Sequence, residues 1–387
     1  MRRIVVLAMA VLPLAAIAVC IEVANPNDFS HKTVVQTDAR KVFAKTKSTA
    51  CYIIDSSGRE VPSQLTSDSL LLFEAELPAK GRAVYNVIPS QAMHKYSLAA
   101  CGREYPERAD DVAWENETAG YRVYGPATQA KGEKGYGYDI FFKYEGAPVV
   151  EELYAAQCSA ENWRKADSLR LIDPKLADDF IASFTYHNDH GKGMDCYAVG
   201  PTMGAGIAVP LLANGEFAFP WCYSKARIID NGPLRFTVEL EFEPRAVGAD
   251  KVVTETRRIS LDSHALLNKC CVSYKGLSGT TPVAVGFPLR DSSRKVADKS
   301  GIIAYSDPTQ GDGNGKAYLG IVAPAGFSRT GETQGHIIGE TDLLADGELG
   351  YYWGFVWDRN IPDITLDSWT DRLRVFANTK PFTVKIK

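Results

Sequence analysis

The chain has 387 residues, enough for a large core in one or two domains, and its 43 basic and 47 acidic side chains give a net charge of −4. This balance leaves no basic field, so the composition excludes a nucleic-acid-binding protein. Aromatic residues make up 10% of the chain, with 18 Tyr and 16 Phe, which favours a β-rich globular protein.

The N-terminus has the pattern of an export signal. Two arginines precede the apolar run Ile4–Val19, which is short for a bilayer and is interrupted by a proline. Residues 1–20 are therefore predicted to be a signal peptide, and Cys20 is either the lipid-modified cysteine of a lipoprotein or part of a plainly secreted chain. Both alternatives predict an exported protein, in the periplasm or on the outer membrane of a Gram-negative bacterium. The only membrane contact expected is a lipid on Cys20.

The remaining chain is predicted to be mostly β. Short apolar runs broken by turn residues predict a small β-sandwich over residues 21–92, and the more polar Gln91–Arg108 is expected to connect it to the next domain. Residues 111–387 are predicted to form a large antiparallel sandwich of two sheets. Alternating or β-branched patterns mark its strands at Tyr121–Tyr124, Tyr138–Tyr144, Arg235–Phe242, Val252–Leu261, Lys269–Tyr274, Thr281–Phe287 and Ala317–Val322.

Helical patterns are few and short, and they concentrate between Cys158 and Ala182. Ser159 and the pair Asp173-Pro174 are helix-start signals there. The eight cysteines are scattered without C-x-x-C spacing, and Cys270 and Cys271 are neighbours on a predicted strand. Because neighbours on a strand face opposite sides, Cys270 and Cys271 are not expected to pair with each other. The scattered spacing does not suit a disulfide framework, and the missing C-x-x-C argues against a zinc ribbon, so free thiols are expected.

The segment Tyr186–Gly206 (YHNDHGKGMDCYAVGPTMGAG) gathers titratable and aromatic side chains between glycines. This composition predicts a loop that holds those groups against something that approaches the backbone closely. Histidine titrates near neutral pH, so two histidines of the segment are candidate acids or bases, although each could instead hydrogen-bond to the loop's own backbone. The predicted catalytic residues of the segment are Tyr186, His187, His190 and Tyr197, and Asp195 is predicted to bind substrate.

Metal and cofactor sites are not predicted. His187 and His190 have an H-x-x-H spacing that would suit a metal on a helix, but on a loop it guarantees nothing and no third ligand is evident. The chain has no phosphate-binding glycine loop, no G-x-S-x-G elbow and no H-E-x-x-H motif. A structural calcium ion is left open.

Further candidates lie outside that segment. Arg122 and Tyr124, on a predicted strand, and Arg235 are predicted to bind substrate, and His336 at the lip of a strand is a catalytic candidate. The pair Glu151-Glu152, predicted to end a strand, could supply a carboxylate but is also typical of a solvated strand end.

An aromatic run, Tyr351–Trp357, offers a sugar platform. Trp353 is predicted to stack on a pyranose if one face of this run is open, because a sugar ring presents an apolar face to an indole. The alternative is that the run packs in the core.

The chain resembles the domain-of-unknown-function family 4861, exported proteins of Bacteroidota often encoded beside carbohydrate-degradation genes. The resemblance covers nearly the whole mature chain, and YHNDHGKGMD is its most specific part. It implies a galactose-mutarotase-like supersandwich and a glycan substrate, without an assigned reaction. The residues that carry it are Tyr121–Pro126, Tyr186–Gly206, Asn231–Arg235, Thr254–Leu261, Gly335-His336 and Tyr351–Gly354.

Three functional hypotheses follow, each with a polysaccharide or oligosaccharide as the partner. The first is β-elimination on a uronic acid, which needs a base, an acid and a group that neutralises the substrate carboxylate. The second is glycoside hydrolysis, which needs two opposed carboxylates, such as Asp195 with one of the paired glutamates; a mutarotase-like epimerisation ranks after it. The third, of another class, is a non-catalytic carbohydrate-binding protein.

Overall fold

The computed structural model describes residues 19–291 and 294–387, so nearly all of the predicted signal peptide lies outside the described residues. Strands dominate, and the named strands pair antiparallel. This confirms the predicted fold class: mostly β, antiparallel, with few short helices. Within the described ranges, no helix combines the length and the apolar character needed to cross a bilayer.

The N-terminal part has its own core between two small sheets, one with the order β1-β7-β3-β4 and one with the order β2-β6-β5. Ile21, Phe73 and Val87 are among its buried residues. The elements are β1 (Cys20–Ala24), β2 (His31–Asp38), α1 (Ala39–Thr46), β3 (Ala50–Ile54), β4 (Glu60–Val61), β5 (Ser63–Leu65), β6 (Leu70–Leu77) and β7 (Arg82–Ser90).

A five-stranded sheet with the order β12-β11-β10-β9-β8 follows, and helices α3, α4 and α5 lie between its last two strands in the chain. Side chains of β10 alternate: Tyr121 and Val123 enter the main core, and Arg122 points to the opposite face. The elements are β8 (Cys101–Tyr105), β9 (Asp111–Glu115), β10 (Gly120–Val123), α2 (Pro126–Ala130), β11 (Asp139–Lys143), α3 (Val150–Gln157), α4 (Ala160–Arg170), α5 (Pro174–Ala182) and β12 (Gly193–Met194).

The starts of these helices show which local signals the sequence carries. Ser159 and Asp173 cap α4 and α5 as predicted, each accepting a backbone N–H. Helix α3 is capped from a distance, because the buried Glu115 of β9 accepts the N–H groups of residues 149 and 150. Glu151 and Glu152 therefore lie in the first turn of a helix, and their prediction as a strand end was wrong.

The rest of the chain forms a nine-stranded sheet, in which β14-β15-β17-β18-β25-β22-β21-β20 follow in order and β16 pairs with β17, and a four-stranded sheet β13-β19-β24-β23. The elements are β13 (Ala208–Pro210), β14 (Lys225–Asn231), β15 (Arg235–Glu241), β16 (Arg245–Val247), β17 (Asp250–Asp262), β18 (Leu267–Lys275), β19 (Thr281–Pro288), β20 (Lys295–Asp298), β21 (Ile302–Asp307), β22 (Ala317–Val322), β23 (Arg329–Thr333), β24 (His336–Leu343), β25 (Glu348–Trp357), α6 (Leu366–Asn378) and β26 (Thr383–Ile386).

The main core lies between the nine-stranded sheet and the five-stranded sheet. Trp353 of β25 stacks on Tyr138 with ring centroids 4.0 Å apart and meets Trp114 edge-on at 6.3 Å. Cys270 is buried in this core while Cys271 faces the other side of the sheet, and the seven cysteines after Cys20 are free thiols.

The C-terminal strand returns to the N-terminal part. Helix α6 packs on β21 and β22, where the Trp369 indole donates to the Leu319 carbonyl at 3.0 Å. Strand β26 then pairs antiparallel with β1 and becomes the edge of the N-terminal sheet. The sequence analysis grouped this strand with residues 111–387, because alternation predicts a strand without predicting its partner.

Candidate active site

The backbone of the segment 186–206 lies against strand β11. Strand β12 pairs with β11, and the Asp195 N–H donates to the Tyr186 carbonyl at 2.8 Å. Gly193 has a φ of +116°, and a Cβ there would lie 2.0 Å from the Phe142 carbonyl oxygen. The glycine thus permits close approach to a neighbouring strand.

Arg122 is the centre of a buried network on the outer face of the five-stranded sheet. It lies directly across from Asp139 in the strand pairing, and its guanidinium contacts that carboxylate through Nε at 3.0 Å and through Nη2. The same Nη2 donates to Asp195 Oδ2 at 2.8 Å, and Nη1 donates to the Tyr186 hydroxyl at 3.2 Å. Arg122 is only 2% exposed, so it organises the site from below and the predicted role in binding substrate does not fit it.

Tyr124 lies at the edge of this network, where it is half-buried. Its hydroxyl donates to Asp139 Oδ2 at 2.5 Å and accepts from Arg122 at 3.1 Å. Burial, and secondarily the Asp139 charge, raise the pKa of Tyr124 well above its usual value, against the opposing effect of Arg122. Tyr124 is therefore protonated at neutral pH, and its proton lies in the hydrogen bond to Asp139.

Burial makes it unfavourable for all the carboxylates of the network to be ionised at the same time. Burial raises the pKa of Asp111 to about 6, although Arg122 and Arg108 oppose this, and burial likewise raises the pKa of Asp195 against Arg122. Tyr154 donates to Asp111 at 3.3 Å. Despite these acidic groups, no three His, Cys, Asp or Glu residues in the described part of the chain are arranged to hold a metal ion.

His187 lies at the rim of the network, with 58% of its side chain exposed. Its Nδ1 is 3.0 Å from the carbonyl oxygen of Asp195 and 3.8 Å from that residue's Oδ2. Because a carbonyl oxygen only accepts, Nδ1 carries the proton and the lone pair lies on Nε2, which has no hydrogen-bond partner among the described residues. His187 is thus an exposed proton acceptor next to a buried carboxylate.

The two neighbours predicted to share this role have other tasks. The Nε2 of His190 bonds to the Thr185 carbonyl at 2.9 Å, so this histidine holds the loop. Tyr186 is fully buried, and its hydroxyl accepts from Arg108 at 2.9 Å as well as from Arg122. Its ring meets the imidazole of His187 edge-on at 4.7 Å, so Tyr186 positions that imidazole.

A second polar group borders the first. Arg290 forms an ion pair with Asp307 and lies 4.7 Å above the ring of Tyr197, with 26% of its side chain exposed. The Tyr197 hydroxyl is buried and has no hydrogen-bond partner among the described residues. Burial, followed by the charge of Asp307, raises the pKa of Tyr197.

His336 is buried beside this second group, but both of its nitrogens are occupied. Nδ1 donates to the Gln334 carbonyl at 2.7 Å, and Nε2 accepts the Met203 N–H at 3.2 Å. Burial lowers the pKa of His336, so the ring is neutral. The predicted catalytic role does not fit these contacts, because the imidazole fixes the loop that carries Met203.

An aromatic wall that the sequence analysis missed lies beside His336. The rings of Tyr136 and Phe219 stack at 5.1 Å, Trp221 meets Tyr136 edge-on at 6.3 Å, and Phe219 lies 6.4 Å from the His336 ring. The three aromatic side chains are partly exposed. The backbone of Gly135 packs against the Tyr124 ring, which joins the wall to the Arg122 network.

Two predicted binding residues do not belong to this site. Trp353 is fully buried in the main core, so it cannot be a sugar platform, because β25 has its packed face toward Tyr138. Arg235 lies on the opposite face of the molecule, where it forms a bidentate ion pair with Asp262 at 2.5 and 2.8 Å.

Asp111, Asp139 and Arg108 are members of the site that sequence reasoning missed. Asp139 and Arg122 each interrupt an apolar strand pattern, and such an interruption by opposite charges on two nearby strands was the available signal. The pairing of Arg122 with Asp139 depends on the register of β10 and β11, which the sequence alone does not determine.

Among curated proteins, the chain is similar to the "Uncharacterized protein P7" of Formosa agariphila. The two are 25% identical over 332 residues, which is 82% of this chain and 78% of the relative.

Two solved structures from Enterococcus faecalis align with 96% of this chain at 8% identity. They are an alpha-mannosidase, with a TM-score of 0.48, and a protein in the glycosyl hydrolase family 38, with a TM-score of 0.45. The chain spans 46% and 47% of their lengths, just under half of each.

A family match covers almost all of the described residues. The profile described as Domain of unknown function (DUF4861) matches residues 23–386, which include the Arg122 network, the segment 186–206 and the aromatic wall. The chain therefore belongs to the DUF4861 family.

Proposed function

We propose that this protein is a glycan-processing enzyme that cleaves uronic-acid-containing chains by β-elimination. The observation that supports this most is the pairing of an exposed proton acceptor, His187, with a protonated phenol, Tyr124, on one network whose carboxylates are held by an arginine. A base and an acid are thus present without two free carboxylates.

The reaction would use these groups as follows. His187 Nε2 removes the proton from the carbon beside the uronate carboxyl group, and that electron pair forms the new carbon–carbon double bond. The glycosidic bond to the leaving oxygen breaks, and Tyr124 gives its proton to that oxygen. The cation for the substrate carboxylate would be Arg290, which is partly exposed and borders the unpaired Tyr197 hydroxyl.

Hydrolysis is the second candidate, and the raised pKa of Asp111 is the observation that favours it, because a hydrolase needs one carboxylic acid that is protonated near neutral pH. Three features count against it. Asp111 is fully buried, while Asp139 and Asp195 both bind Arg122, so these three carboxylates do not supply an opposed pair for hydrolysis.

The aromatic wall suits a sugar partner in either reaction. Tyr136, Phe219 and Trp221 present partly exposed rings, and such rings stack on the apolar face of a pyranose. A substrate outside the cytoplasm agrees with the predicted signal peptide, and export remains part of this proposal.

The test is a panel of uronic-acid polysaccharides incubated with the purified protein, while ultraviolet absorbance reports a new unsaturated bond. We expect absorbance to rise with wild type and to vanish with Tyr124→Phe, which keeps the ring packed against Gly135. New reducing ends without absorbance would replace β-elimination by hydrolysis. Sugar binding without either signal would favour a binding protein.

A further inference from the structure

A groove with a volume of about 680 Å³ lies on the outer face of the nine-stranded sheet, away from the Arg122 network. Strand β2 of the N-terminal part borders it on one side and helix α6 on the other. The main core separates the two regions, because the residues between those of the groove floor, such as Ile259 and Cys270, point into it.

The floor of the groove is a row of polar side chains across four strands. Thr237 of β15 lies opposite Ser260 of β17, which lies opposite Lys269 of β18, which lies opposite Tyr352 of β25. Neighbouring strands are about 4.8 Å apart, so this row spans about 14 Å. It offers two hydroxyls, one ammonium group and one aromatic ring to an extended ligand.

The cations of the groove are unusual because several have no anionic partner. Five Lys or Arg side chains line it against three Asp side chains, although the whole chain has a net charge of −4. Arg258, Lys269 and Arg372 form no ion pair or side-chain hydrogen bond among the described residues, and Glu239, which lies opposite Arg258, pairs with Arg227 instead. Arg258 and Lys269 are diagonal neighbours on one face of β17 and β18, where like charges repel each other.

An exposed aromatic edge completes the groove at the end near α6. Tyr352 and Phe376 meet edge-on with ring centroids 4.9 Å apart, and Phe376 is 41% exposed. Gly350, next to this edge, has open space where a side chain would stand. Hydroxyls, unpaired cations and an aromatic edge along one groove match the hydroxyls, carboxylates and apolar ring faces of an acidic sugar chain.

We propose that this groove is a second, non-catalytic binding site for an anionic polysaccharide. The proposal rests on the proposed function only for the choice of a glycan. The groove would hold a stretch of the same polymer, and so raise the local concentration of substrate around the enzyme without taking part in bond cleavage.

The test compares two double variants with the same loss of charge on the same two strands. Arg258→Ala with Lys269→Ala removes the unpaired cations of the groove, and Lys251→Ala with Lys275→Ala removes two exposed cations of β17 and β18 outside it. Binding is measured by affinity electrophoresis in gels that contain alginate, polygalacturonate or neutral dextran.

We expect wild type and the control pair to be retarded by an acidic polysaccharide and not by dextran. The groove pair should lose at least about tenfold in affinity, with an unchanged melting temperature. Unchanged retardation of the groove pair, or no retardation of wild type, would overturn the proposal. Equal retardation by polyphosphate or single-stranded DNA would replace a glycan site by a general polyanion site.

The outcome is separable from that of the proposed function. A short oligosaccharide that yields an unsaturated product should be cleaved at the same rate by the groove pair and by wild type, because the groove is remote from Tyr124. If the polysaccharide binds through the groove but neither wild type nor either double variant shows turnover, the groove site is supported and the enzyme proposal is refuted.

Discussion

His187 and His190 are three residues apart, and each bonds one ring nitrogen to a backbone carbonyl: Nδ1 of His187 to that of Asp195, and Nε2 of His190 to that of Thr185. Of the two, His187 is the one beside the Arg122 network, with Nδ1 3.8 Å from Asp195 Oδ2. His187→Asn would keep a donor for the Asp195 carbonyl and remove the proton acceptor, so we expect kcat to fall by about 100- to 10,000-fold. His190→Gln is the matched control, because the longer amide can keep a donor for the Thr185 carbonyl, and its kcat should stay within about tenfold of wild type. Equal losses in both variants, measured as initial rates of double-bond formation, would contradict the assignment.

Arg122 matters for stability as well as for the arrangement of the site. Arg122→Met would leave Asp139 and Asp195 buried without their cation, and we expect a loss of about 3–5 kcal/mol in the free energy of unfolding. The loss should shrink toward acidic pH, because burial raises the pKa of Asp195 and this carboxylate can then take up a proton. The control is Arg227→Met, which breaks an exposed pair with Glu239 and should cost at most about 1 kcal/mol. Urea unfolding that shows equal costs would refute the role of Arg122.

Side-chain chemistry was easier to predict from the sequence than burial. His187 and Asp195 were singled out because titratable groups accumulate in their segment, and Tyr124 because tyrosines alternate with an arginine on its strand, although Tyr124 and Asp195 were predicted to bind substrate. Trp353 and Arg122 were assigned to substrate although both are buried. Alternation along a strand assigns side chains to two faces, but it does not show which face is buried. Burial depends on packing against sheets whose residues are distant in the sequence.

At the scale of elements, His264 links three parts of the fold. It lies in the turn between β17 and β18 and contacts Glu74 of β6 and Glu117 after β9, each at 2.7 Å. The hydrogen bonds that His264 donates to Glu117 and then Glu74 raise its pKa from 6.5 to about 9, with burial and Lys32 opposing. The charged histidine therefore joins the N-terminal sheets to the large sheet.

This shift predicts how stability depends on pH. Because the folded-state pKa lies above the unfolded value, the contribution of His264 is complete below about pH 6.5 and is lost as the pH rises through about 9. We expect His264→Gln to cost about 2 kcal/mol at pH 6 and little at pH 10, measured by urea unfolding. Glu74→Gln should lower the folded-state pKa of His264, so the contribution of His264 to stability should be lost at a lower pH than in wild type. A cost that is constant with pH would show that His264 is not charged in the folded protein.

Element prediction succeeded where local signals exist and failed where a partner lies far away. The caps Ser159 and Asp173 were visible in the sequence, as were the alternating strands of the large sheet. Helix α3 was missed because its cap, Glu115, belongs to a strand more than thirty residues earlier. Helix α6 was missed although its signals are local, because Leu366, Trp369, Leu373 and Phe376 recur at helical spacing after the Thr365 cap.

At the scale of the whole molecule, the proposed cleavage site and the proposed binding groove use different sheets. The Arg122 network stands on the outer face of the five-stranded sheet, and the groove lies on the outer face of the nine-stranded sheet. The aromatic core around Trp353 is buried and closely packed between them, so binding at one face need not distort the other. A long polymer could be held on one face while another segment is cut on the other.

We expect the last strand, β26, to stabilise the N-terminal part of the fold. Deleting Thr383–Lys387 would expose the edge of β1 and remove Val384 and Ile386, which pack half-buried on the N-terminal core. From the lost apolar burial and ladder hydrogen bonds we expect this part to lose about 2–4 kcal/mol. Lys385→Ala, which changes an outward side chain of the same strand, should cost little.

Two buried thiols can report the two parts separately. Cys51 lies in the N-terminal core and Cys270 in the main core, and burial raises the pKa of Cys51 to about 11 and that of Cys270 to about 12, so neither reacts while folded. In the truncated chain, a thiol reagent should label Cys51 at lower urea than Cys270, as read by mass spectrometry. Labelling of both thiols together, at the urea concentration of wild type, would mean that β26 does not stabilise the N-terminal sheet.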